Sequence, residues 1–165
     1  VLHSDDWLDI GGNRPVTEAV VAGALALAAL NALPALLGAW RWYRHESSRG
    51  FWVALRTAQV GALVYAVAIG ALVAAGHSSS ERLFYLYALL PLAVGFVAEQ
   101  LRVTSAQTIL DQRELADAQA VGALPEVEQH EVVAAIVRRE MGVMTLSTLV
   151  VAFLALRAAG TAHGF

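Results

Sequence analysis

Over most of this chain apolar positions neither alternate with polar ones nor recur every third or fourth residue. They run together in four blocks, at about 16–40, 51–76, 83–101 and 143–160, and the polar positions collect between them. A bilayer core about 30 Å thick asks for roughly 20 apolar residues at 1.5 Å each, and all four blocks meet that length. Lipid offers the backbone no hydrogen bonds, so each block is expected to be a helix. Continuous rather than alternating hydrophobicity speaks against transmembrane strands.

The connections suggest how the spans follow one another. "RWYRHESSRG" (41–50) and "HSSSER" (77–82) are short, which makes spans 1, 2 and 3 antiparallel neighbours. The third connection is long. "VTSAQTILDQRELADAQAV" (103–121) and "PEVEQHEVVAAIVRRE" (125–140) both carry apolar residues near helical spacing. Gly122 suits a helix end and Pro125 a first helical turn. The expected fold is therefore all-α: an integral membrane protein forming an antiparallel four-helix bundle. A helical hairpin, 103–140, stands between spans 3 and 4, its arms continuing them. Residues 1–165 form one membrane domain.

Composition agrees. Of 165 residues, 58% are hydrophobic and the mean hydropathy is +0.57, above a soluble domain of this size. All eleven basic residues are arginine, which together with the abundance of small apolar residues suggests a bacterial source. Four of them fall in 39–56 and four in 102–141, against Arg14, Arg82 and Arg157 on the other side. That asymmetry places both termini outside and the hairpin in the cytoplasm of a bacterial inner membrane. Trp40, Trp42 and Trp52 then mark the inner interface, and Tyr85 and Tyr87 the outer one. The first fourteen residues, "VLHSDDWLDIGGNR", are acidic rather than basic, so the first block is read as a retained span and not a signal peptide. A net charge of −3 gives no reason to expect nucleic acid, and without cysteine there is no disulfide, thiolate metal site or thiol chemistry.

Polar groups inside the blocks are the candidate chemistry, because charge at membrane depth is costly and usually paired. Arg56 lies five residues inside span 2. "FVAEQLR" (96–102) places Glu99 at a similar depth in span 3. An Arg56–Glu99 ion pair is expected, with Gln59 and Gln100 hydrogen-bonding around it and Arg102 marking where span 3 leaves the bilayer. Asn31, one turn before Pro34 in span 1, is expected to satisfy backbone that the proline frees or to reach span 2. This cluster either fixes helix register or forms a pocket for a headgroup, quinone or proton path. Glu18 and Arg157 form a second expected pair on the outer side. Thr145, Ser147 and Thr148 are read as packing groups.

Histidines offer less. His3, His77 and His163 gather at the outer side, where they could hold a divalent metal or a haem. Glu126 and His130 are four apart rather than three, so they do not make the Glu-x-x-His of di-iron bundles and read as a solvated face. No catalytic constellation is evident. The leading expectation is a non-catalytic accessory subunit or oligomeric scaffold of a membrane complex. Its partners would be the bilayer, further copies of the chain or other membrane subunits. Alternatives are a haem-, metal-, quinone- or lipid-binding bundle, and a small transporter or channel built as a homo-oligomer.

Overall fold

The computed structural model describes residues 14–44, 46 and 48–163. His3 and the acidic first residues lie outside them. All regular structure among the described residues is helical. The elements are α1 (Arg14–Tyr43), α2 (Arg49–Ala74), α3 (Arg82–Gln112), the short α4 (Ala118–Gly122) and α5 (Glu126–Thr161). Four of these, α1, α2, α3 and α5, are long and apolar enough to cross a membrane; they contain the first, third and fourth blocks and all but the last two residues of the second.

Local chemistry sets the helix ends. Pro15 opens α1, where its missing N–H is no loss. Ser48 caps α2, its hydroxyl accepting from the Phe51 N–H at 3.4 Å. Past the end of α2, Gly76 takes a left-handed conformation (φ +89°). The His77 N–H then reaches back to the Leu72 carbonyl and the Gly76 N–H to that of Val73, each at 3.0 Å, which closes the last turn. The same closure ends α3, with the Leu115 N–H on the Leu110 carbonyl at 2.9 Å and the Glu114 N–H on that of Asp111 at 3.2 Å. There the left-handed residue is Glu114 (φ +56°).

The first arm of the expected hairpin is thus shorter than its sequence suggests, because Glu114 and not Gly122 stops it. Gly122 instead ends α4, whose start is capped by Asp117 accepting from the Ala120 N–H at 2.9 Å. The second arm begins where expected, directly after Pro125, and runs unbroken into the fourth block.

Helix α5 packs along α1 on one side and α3 on the other. Helix α2 packs on α1, meets α3 more sparsely and scarcely touches α5. Small residues make these approaches close: Ala24, Ala28, Ala88, Ala155 and Ala158 are buried between the helices. At Gly38 a Cβ would collide with Thr145 Oγ1 and the Phe51 ring. The buried apolar side chains fall into two clusters. One holds Val20, Leu27, Tyr65, Ile69 and Phe84. The other holds Phe51, Leu55, Ala98, Met141 and Met144.

Candidate functional site: a polar cavity between the four long helices

Between the two apolar clusters the helices do not close. A cavity of about 240 Å³ lies there, and each of the four long helices contributes to its wall. Helix α1 supplies Asn31. Helix α2 supplies Leu55, Gln59 and Ala62, which share one face at helical spacing. Helix α3 supplies Pro91, Leu92, Gly95, Phe96 and Glu99, and α5 supplies Ser147, Thr148 and Val151. Two features of α3 help to make the space. Gly95 has nothing within 4 Å of where a Cβ would stand. Pro91 has no N–H, which leaves the carbonyl of Tyr87 without its helical donor.

Five polar side chains line this wall, and Glu99 organises one end of it. Arg56 Nη1 donates to Glu99 Oε1 at 2.6 Å. Gln59 Nε2 donates to the same oxygen at 2.9 Å, and its own Oε1 accepts from Arg56 Nη1 at 2.7 Å. Arg102, one turn along α3, places Nε 3.2 Å from Glu99 Oε2. Its guanidinium lies over the Trp52 ring, 5.6 Å from the centroid. Two guanidiniums against one carboxylate leave this end of the cavity with one net positive charge. Both Glu99 oxygens already have partners, so the carboxylate is engaged and not poised to take up a cation.

Comparison with protein-family models, with curated proteins and with solved structures finds no match for this chain.

Several expected site residues meet here and others do not. Arg56 and Glu99 pair, as their common depth predicts, and Gln59 joins them. Gln100 does not, because one residue turns it about 100° around α3 and leaves its side chain exposed. Asn31 is buried in the cavity wall, but its amide donates to the Leu27 carbonyl at 3.0 Å, one turn back on its own helix. It bridges to neither the carbonyl of Leu30 nor α2. Ser147 and Thr148, read from the sequence as packing groups, face the cavity while donating to the carbonyls of Met144 and Thr145, each at 2.8 Å. A proline inside an apolar block was the available signal for Pro91; nothing in the sequence marked the space beside Gly95.

At the opposite end of the bundle, Glu18 and Arg157 are both exposed and form no ion pair with each other. Arg157 lies over the Tyr87 ring instead, 5.5 Å from its centroid. Of the histidines proposed for a metal or haem, His163 offers its backbone carbonyl to the hydroxyls of Ser79 (2.9 Å) and Ser80 (3.2 Å), which tethers the α2–α3 turn. No group of three or more His, Cys, Asp or Glu that could hold a metal occurs among the described residues.

Proposed function

We propose that this protein is a non-catalytic, multi-pass membrane protein that holds an amphiphilic small molecule of the lipid or quinone class between its four spans. One observation carries the reading: a cavity shared by all four long helices and lined by Asn31, Gln59, Glu99, Ser147 and Thr148. Polar groups are costly inside a bilayer, and the five around this space, though each has a partner in the protein, keep lone pairs and N–H groups that a polar occupant can meet. The apolar side chains of Leu55, Leu92 and Phe96 on the same wall fit the body of such a molecule, and Gln59 and Asn31 its hydrogen-bonding head. A larger groove of about 650 Å³ between α1 and α2 is almost wholly apolar, and acyl chains of the surrounding bilayer suffice to fill it.

The spans run antiparallel in this reading, since Arg56 near the start of α2 meets Glu99 late in α3. Arginine asymmetry supports a bacterial inner membrane with both termini outside and the ends of α3 and α5 that flank α4 in the cytoplasm.

The test uses Gly95→Leu, which fills the cavity from a position with room for a side chain and exchanges a poor helix former for a good one. Native mass spectrometry of the protein drawn gently from its own membrane should show a retained molecule, and the variant should lose it while melting no earlier. A wild-type chain with no added mass, or a variant that retains the molecule equally well, would overturn the reading.

A second reading, a scaffold or accessory subunit docking through the hairpin, has one observation in its favour. Val127 is exposed on the second arm, about 24 Å of helix before the fourth apolar block, where lipid would not cover it.

A further inference from the structure

A separate pocket of about 260 Å³ lies where the end of α1 passes α5. Trp42, Val133, Val137 and Met141 form its apolar walls, and Arg41, Arg138, His130 and Glu46 its polar ones. Glu46 is the single carboxylate among the lining residues, and it is already engaged: it is ion-paired with Arg41, and Arg44 Nε approaches it at 3.6 Å. Arg138 is exposed and has no ion-pair partner among the described residues. His130 turns Nδ1 to its own helix, 2.8 Å from the Glu126 carbonyl, which leaves Nε2 for the pocket. Charge here is net positive, and one guanidinium is unmet.

Depth identifies the occupant. Arg138 precedes the fourth apolar block, which begins at residue 143, by five positions, or about 7.5 Å of helix. The headgroup layer on each side of a bilayer core is about 5–8 Å thick. Arg41 stands one residue past the end of the first block, and its long side chain reaches the same layer. Trp42 belongs at that level too.

We propose that this α1–α5 pocket binds the headgroup of an anionic phospholipid of the inner leaflet, its phosphate seated between Arg41 and Arg138. The inference rests on the membrane placement proposed above and is independent of the central cavity. A zwitterionic headgroup brings a cation to a pocket that already has an excess of them, so the site discriminates by net charge.

The experiment is native mass spectrometry of the full chain in dodecyl maltoside micelles doped with phosphatidylglycerol or phosphatidylcholine. Phosphatidylglycerol should be retained about tenfold more strongly, the scale of one charge-assisted contact. Arg138→Gln, at an exposed position without an ion pair, should abolish that preference, and Gly95→Leu should leave it intact. Glu46→Gln should strengthen retention by removing the competing carboxylate, a gain that misfolding does not imitate. Equal retention of the two lipids, an unchanged preference in Arg138→Gln, or weaker retention in Glu46→Gln would each overturn the proposal. Displacement of the lipid by an equal concentration of glycerol 3-phosphate would assign the pocket to a soluble phosphate and overturn the lipid assignment.

Discussion

Glu99 serves three partners with two oxygens, and that arrangement decides how each substitution behaves. Removing Glu99 leaves Arg56 and Arg102 facing each other without a counter-charge. Removing Arg56 leaves a carboxylate that still holds Gln59 and Arg102. Glu99→Ala is therefore expected to destabilise more than Arg56→Ala. The Arg56 side chain is 51% exposed on the outside of the bundle, about 7.5 Å inside the edge of its span, and is long enough to reach the aqueous interface, where screening limits the worth of its pair with Glu99. A double-mutant cycle on thermal stability should yield a coupling energy of about 1 kcal/mol, between the values for exposed pairs and for membrane-buried hydrogen bonds. Additive effects would show that the two side chains are neighbours without being partners.

At the scale of the element, α2 and α3 end in the same hydrogen-bond pattern with different residues in the left-handed position. Gly76 adopts it freely, whereas Glu114 pays the steric cost of its Cβ. Two opposite outcomes are expected from melting curves. Gly76→Ala should destabilise by about 1 kcal/mol, and Glu114→Gly should stabilise by several tenths once the entropy of the unfolded glycine is counted. The hairpin arms also show how a break can be misread. Gly122 has the residue type of a helix terminator, yet α3 has stopped ten residues earlier, at Gln112. The closing turn depends on carbonyls finding donors, and Leu115 reaches Leu110 before any glycine is available.

At the scale of the molecule, helix α2 is the loosely held member, packed on α1 but only sparsely on α3 and α5. The cavity lies beside it, and the Arg56–Glu99 contact is one of the links that hold α2 to α3 across that opening. Orientation in the membrane is testable directly, because a chain without cysteine accepts single cysteine labels cleanly. Ser79→Cys should react with an impermeant maleimide on intact cells, and Ala120→Cys only after the membrane is opened. The reverse pattern would invert the topology and move the anionic-lipid pocket to the other leaflet.

Four helices of spanning length were legible in the sequence, and so was the level along α2 and α3 at which Arg56 meets Glu99. Both follow from distance along a helix axis: a bilayer requires the backbone to satisfy itself, and each residue then advances 1.5 Å. Rotation about that axis was not legible. A block that is apolar on all sides carries no mark of which face turns inward, so Gln59 and Gln100 looked equivalent, as did the candidate pairs Arg56–Glu99 and Glu18–Arg157. Ser147 and Thr148 likewise gave no sign that they would face a cavity. Those choices were made by the tertiary structure, through small residues that let α1 and α3 each close upon α5 while Gly95 and Pro91 left space beside α2.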